Sequence, residues 1–277
     1  MNKPLSRVVR THLSAVASIM MLAAGLLGAP TASAAGIADT KHNLGSTGTG
    51  ANKFSGTGEI CVFCHTPHGA DTSAAVPLWN RTLANPNTYT TYNSLGTSSL
   101  DGATAPVGSV SLACLSCHDG TQAMNVLINQ PGSGLTNATF QAGTASGANQ
   151  TSGAISSGLV TMLGQDLKND HPIGIQYGGG PASGEATLAT YSFKDTDFNA
   201  TTSATINGQA VWWVDTGTPS TRQKTDIQLY TRTAGALANP QPFVECASCH
   251  DPHTTANPTF LRISNSGSAV CLACHIK

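Results

Sequence analysis

Four times in 277 residues the chain sets two cysteines three positions apart and follows the second directly with a histidine. The runs are Cys61-Val62-Phe63-Cys64-His65, Cys114-Leu115-Ser116-Cys117-His118, Cys246-Ala247-Ser248-Cys249-His250 and Cys271-Leu272-Ala273-Cys274-His275. They consume all eight cysteines. Cys-x-x-Cys-His is the attachment signal for haem c: the thiols become thioethers to the porphyrin vinyl groups, and the adjacent imidazole reaches the iron from one face. Two closed zinc sites would also use four cysteine pairs, but they give no reason for a histidine after every second cysteine. A thioredoxin-type redox pair expects one motif in a βαβ setting. The pattern therefore predicts haem c, four per chain.

That prediction changes what the chain must do to fold. Each haem is a large, rigid, mostly apolar plate tied at two points, and it supplies buried surface that a chain with 5% aromatic residues lacks. The expected fold is mostly irregular, a multihaem cytochrome fold with a haem-organised core. It should have little secondary structure, short helices at the haem motifs and a few short β-strands. Ala210-Val211-Trp212-Trp213-Val214 and Asp226-Ile227-Gln228-Leu229-Tyr230 combine β-branched and aromatic residues between turn signals and read as a hairpin. Trp212 and Trp213 read as packing or subunit-contact residues rather than redox partners of a haem.

The N-terminus carries Lys3, Arg7 and Arg10, an apolar run over residues 13–29, Pro30, and then Ala32-Ser33-Ala34. This is the layout of a secretory signal, residues 1–34, cleaved after Ala34. A retained anchor helix is the alternative, since the run approaches spanning length. The small-residue site and the lack of a charged stop-transfer flank favour cleavage, with no membrane span afterwards. Export suits haem c, which is attached outside the cytoplasm. Only 10% of residues are charged. Removing Lys3, Arg7 and Arg10 leaves ten basic against fourteen acidic residues. No basic stripe exists for nucleic acid. Freely diffusing shuttles rely on a charged patch to steer docking; so weak a charge suits a surface covered by copies of the same chain.

The order of motifs repeats. In the first half His42 precedes Cys61-Val62-Phe63-Cys64-His65-Thr66-Pro67-His68, then Pro77-Leu78-Trp79-Asn80-Arg81, then the second motif. In the second half His171 precedes the third motif with Asp251-Pro252-His253, then Pro258-Thr259-Phe260-Leu261-Arg262, then the fourth. We read a two-haem unit used twice: residues 35–125, a Gly/Ser/Thr/Asn-rich linker over 126–165, and residues 166–277 with a β-like insertion around 205–232. Convergence imposed by haem packing alone is the competing account.

Histidine arithmetic gives the ligands. Of nine histidines, His12 lies in the signal, and eight remain. His65, His118, His250 and His275 are the proximal axial ligands within the motifs; His42, His68, His171 and His253 are the distal candidates. Four irons with two axial positions need eight imidazoles. A His/Met haem using Met124 or Met162 would leave one histidine idle. His68 lies three residues after His65, whose iron lies behind a porphyrin plane, so His68 should turn to a different haem, and His253 likewise relative to His250. Pro67 and Pro252 stiffen these links. With every iron saturated, the chain is expected not to be an enzyme: no open site is left for substrate.

The doubled runs, with Lys41-His42-Asn43-Leu44 upstream and Asp119-Gly120-Thr121 after His118, resemble the doubled-CxxCH multihaem c-type cytochromes. Among them, the layout is similar to the secreted tetrahaem cytochromes of metal-reducing bacteria that polymerise into extracellular filaments. The resemblance implies bis-histidine ligation at the eight positions, alternating parallel and T-shaped haem pairs, and a loop-rich fold. It also implies a homopolymer, exchanging electrons with redox partner proteins or extracellular acceptors, at the cell surface or beyond; a monomeric periplasmic carrier is the alternative, and a haem enzyme or sensor a third. In such filaments one axial histidine can come from the neighbouring subunit, and His42, on an N-terminal arm, is the candidate for that role.

Overall fold

The computed structural model describes residues 36–132, 138–181, 184–185 and 193–276. The expected signal segment lies outside them. Helix is sparse and short. The longest described helix, α1 (Ser109–His118), spans ten residues and ends in the second motif. Leu112, Leu115 and Ser116 recur at helical spacing and are buried. Gly120, at φ +74°, closes the helix in the left-handed region that glycine adopts without a Cβ clash. α2 (Ala138–Gln141), α3 (Cys246–Cys249) and α4 (Ala269–Cys274) are single turns or little more. α3 and α4 carry the third and fourth motifs, and Cys61–Phe63 of the first forms a 3-10 turn.

Strands are more extensive than the sequence led us to expect. β1 (Lys53–Phe54) pairs with β2 (Ala145–Ser146), and β3 (Gln150–Thr151) with β4 (Ala154–Ile155). The main sheet is antiparallel, in the order β5 (Ile175–Gln176), β9 (Gln241–Val244), β8 (Ile227–Arg232), β7 (Gln209–Val214), β6 (Thr202–Ile206). The predicted β7–β8 hairpin is present, with Trp212 opposite Leu229. β6 was missed, although Asn207-Gly208, both at positive φ, is the two-residue turn that joins it to β7.

Three apolar clusters fill the interior. One packs Trp79, Tyr89, Val107, Leu112, Leu115 and Leu167; a second packs Phe54, Phe63, Met124 and Phe140. The third belongs to the sheet: Tyr177, Trp212, Val214, Ile227, Leu229 and Val244. Trp212 and Trp213 are both 2% exposed, so these tryptophans are packing residues. Phe140, in the stretch read as linker, is also 2% exposed, which ties that stretch to Phe54 and Phe63.

A buried polar clamp joins the halves. Ser111 of α1 donates to Glu245 Oε2 at 2.5 Å, the Cys246 N–H donates to Ser111 Oγ at 2.9 Å, and Arg232 pairs with Glu245 Oε1 at 2.8 Å. Burial raises the Glu245 pKa, and the Arg232 charge and the two hydrogen bonds pull it only part of the way back. Arg232 also donates to the Pro106 carbonyl at 2.8 Å. From Gly36 onward the chain clusters as one unit.

Candidate haem c sites

The first three motifs turn at least one intervening residue inward and leave their cysteines and histidines less buried, whereas in the fourth Leu272 is 45% exposed. Phe63, Leu115, Ser116, Ala247 and Ser248 are buried, whereas none of the eight cysteines or four motif histidines is. A flat group laid over such a turn can therefore reach both sulfurs and the imidazole.

The histidine rings are aimed by the backbone. His65 Nδ1 donates to the Pro77 carbonyl at 2.8 Å, His118 Nδ1 to the Thr161 carbonyl at 2.7 Å and His250 Nδ1 to the Thr259 carbonyl at 2.8 Å. A carbonyl only accepts, so the proton is on Nδ1 and the Nε2 lone pair is left for a metal. Metal-bound histidines are held by this kind of outer hydrogen bond, which fixes tautomer and ring plane. His275 is placed by an antiparallel bridge to Phe198, whose ring lies 4.4 Å away between centroids. The donor set and its orientation fit haem c.

The crossing segments correct the register of the repeat. Thr66 N–H bonds Leu78 O and Asn80 N–H bonds Cys64 O; Asp251 N–H bonds Phe260 O and Arg262 N–H bonds Cys249 O. Leu78 thus corresponds to Phe260, both at positive φ (59° and 63°), and Asn80 corresponds to Arg262. The sequence comparison, which equated Arg81 with Arg262, is one position out. Arg81 has a role of its own. Fully buried, it donates to the carbonyls of Met124 (3.0 Å), Ser116 (3.1 Å) and Ala123 (3.0 Å). Its charge works against the burial and sulfur repulsion that raise the Cys64 thiol to about 12, and against the burial that raises Cys117. The Arg81 guanidinium therefore lies near the attachment points of the first two motifs. Its Nε, and the Nε1 of buried Trp79 beside His65, have no hydrogen-bond partner among the described atoms. Propionates are acceptors that such donors suit.

The sulfurs run in file. Cys64 is sensed by Cys117. The Cys246 thiol, then burial, holds Cys114 well above its ordinary value. Burial, then Cys249, raises Cys274 to about 12. Sulfurs of consecutive motifs therefore interact, first with second, second with third and third with fourth.

The distal candidates are placed unequally. His42 stacks on Phe260 at 4.4 Å and 9°, and its ring centroid is 6.1 Å from that of His118. Burial first, then His118, lowers its pKa to about 4, so it is neutral as a metal ligand must be. His42 lies between buried Thr40 and Asn43, so the segment that carries it packs on its own chain. His253 lies 6.4 Å from His65, with ring planes 18° apart and Nδ1 held by Asp251 at 3.2 Å. His171, its Nδ1 on the Pro172 carbonyl at 3.1 Å, lines a cavity of about 430 Å³ with Cys249, Cys271, Cys274 and His275. His68 is exposed, its backbone carbonyl fixed by Asn129 at 2.6 Å. The sequence singled out these histidines but missed the carbonyl acceptors that hold their rings, which carry no side-chain signature.

Among known families, the model of the doubled CXXCH motif matches residues 241–277, the third and fourth motifs. No curated protein matches the chain. The match indicates covalent haem c binding and electron transfer and is consistent with a multihaem c-type cytochrome.

Proposed function

We propose that the chain is a tetrahaem c-type cytochrome that carries electrons through bis-histidine haems. In this reading it is secreted after loss of residues 1–34 and polymerised outside the cell as an electron-conducting filament. The observation that carries the electron-transfer reading is the file of four motifs with neighbouring sulfurs and backbone-aimed imidazoles. When bound, haem c supplies a one-electron iron couple. The protein's own part is to fix the imidazole planes through Pro77, Thr161 and Thr259, to raise ligand basicity through those bonds, and to exclude water with the apolar clusters. The couple's potential is set by axial ligands and burial. With two imidazoles per iron the chain makes and breaks no substrate bond, so we assign no enzymatic activity.

Weak charge supports the polymer. Partners are then further copies, redox proteins and external acceptors. The position of His42 in its own chain favours the second reading, a monomeric periplasmic carrier complete in its ligands.

Pyridine haemochrome per mole of chain tests the haem count, with four expected. Negative-stain microscopy of sheared extracellular material, with haem staining of the same fraction, tests the polymer. Regular haem-positive filaments support it, and a filament-free, haem-positive periplasmic fraction supports the carrier. A high-spin resting spectrum would point instead to an enzyme or sensor.

A further inference from the structure

The geometry points to ligand exchange between sites: we infer that His253 caps the iron carried by His65, with nearly parallel rings, and that His42 caps the iron carried by His118, with nearly crossed rings. The inference rests on the haem reading above and names the partners within it.

Two imidazoles on opposite faces of one iron are separated by two metal–nitrogen bonds of about 2 Å each plus the two ring radii, roughly 6 Å between centroids. The observed separations are 6.4 Å for His65 and His253 and 6.1 Å for His42 and His118. At 6.4 Å and 18° the first pair is too far apart to be in face-to-face contact, so ring stacking does not explain it. Both members have Nδ1 committed elsewhere, to Pro77 O and to Asp251 Oδ1, which leaves both Nε2 atoms for a shared metal. In the second pair His118 is fixed by Thr161 O, and His42 is clamped against Phe260 within 9° of coplanar, which holds the two rings 71° apart. Phe260 itself sits at φ 63° beside Thr259 at φ 56°, two consecutive residues in a region that ordinary side chains rarely occupy. That strained turn also supplies the Thr259 carbonyl to His250. Phe260 is thus a positioning residue for the crossed pair.

The first-motif haem would then be held at one face by a residue three positions beyond the third motif, and the second-motif haem by a residue upstream of the first. Ring angle governs the splitting of the iron d orbitals: nearly parallel imidazoles give a rhombic low-spin resonance, crossed ones a strongly anisotropic signal with a large maximal g value.

The test is low-temperature electron paramagnetic resonance of the oxidised full chain, with haem counted by pyridine haemochrome. His253→Ala and the double variant Cys61→Ala/Cys64→Ala should each remove one iron's share of the rhombic signal. His42→Ala should remove the anisotropic signal and yield one high-spin iron. If the alanine variants do not fold, His253→Met and His42→Met should lose the same components while remaining low-spin. Phe260→Leu should keep every iron low-spin and shift only the anisotropic signal. Loss of the opposite component, or unchanged spectra in the histidine variants, overturns the pairing. A wild-type chain without haemochrome overturns the haem reading itself.

Discussion

Arg81 and Arg262 lie in corresponding stretches of the repeat, yet they do different work. Arg81 is fully buried and binds three carbonyls of the first half, at Ser116, Ala123 and Met124. Arg262 is half-buried and binds the carbonyls of Ala247 at 3.0 Å and Lys224 at 2.9 Å. Behind Arg262 stands a five-stranded ladder; behind Arg81 stands none. Asn80, the counterpart of Arg262 by backbone register, shares one contact with it, donating to the Val62 carbonyl (2.7 Å) as Arg262 does to that of Ala247, and differs in its second, to Asn129 O at 2.8 Å within the first half. The first half is assembled by side chains gripping backbone, and the second by backbone pairing with backbone. Order in the first half should depend more on its bound groups.

The largest effect is expected from withholding haem altogether. Hydrogen exchange on chain produced without haem attachment should show fast amides at Thr66 and Asn80, which bond across the first motif. Amides in β7 and β8 should stay protected, because their ladder and the Trp212 cluster need no ligand. Equal exchange in both regions would erase the contrast.

Trp212→Ala attacks the sheet side. Removing a buried tryptophan costs about 3–5 kcal/mol, to be read as a lower denaturation midpoint by far-UV circular dichroism. The low-spin spectrum of the first two sites should persist at a denaturant concentration where the sheet has melted. Arg81→Ala is the opposite probe. Loss of charged hydrogen bonds should cost about 3 kcal/mol, with spectral change confined to the first two haems. Arg262→Ala should cost about 1 kcal/mol. Equal costs would mean that burial does not distinguish the two arginines.

Much of this organisation was legible in the chain. The cysteine and histidine spacings are local and chemical, so the attachment runs and the pool of axial imidazoles could be read directly. The β7–β8 pair declared itself through Val211, Trp212 and Ile227. β9 did not: Gln241-Pro242-Phe243-Val244 has a proline and a glutamine, yet all four residues are buried, because the sheet and the Arg232–Glu245 clamp close over them. Nor could the register of the repeat be read. Matching Arg81 to Arg262 followed residue type, whereas Leu78 and Phe260 are equivalent through backbone conformation, which dissimilar side chains can share. The local packing around His42 was unreadable for a related reason. A Gly- and Thr-rich flank looks like a free arm until the buried side chain of Asn43, donating to Ala38 O at 2.9 Å, folds it back.

The smallest effect concerns acid. Asp71 in the first half and Asp215 in the second both have carboxyl pKa values below the ordinary range. Burial works to raise each; at Asp71 the Ser73 hydroxyl and the N–H groups of Ser73 and Leu83 outweigh it, and at Asp215 the donors are Thr202, Ser220 and Trp213. A depressed folded pKa means stability that is present above the unfolded value of 3.8 and lost as pH falls through the folded one. Asp71 serves a loop, whereas Asp215 anchors the start of β6 and the indole of β7, with Trp213 Nε1 at 2.7 Å. Asp215→Asn should therefore flatten the loss of sheet stability as pH falls below about 4, followed as urea midpoints. Asp71→Asn should leave the sheet midpoint where it was and change only exchange near Asp71. Both carboxylates are only partly buried and are screened by solvent, so each change should stay within about 1 kcal/mol. If Asp71→Asn shifted the sheet midpoint as far as Asp215→Asn, the halves would be energetically one body, and the division between side-chain grip and backbone ladder would describe their construction but not their stability.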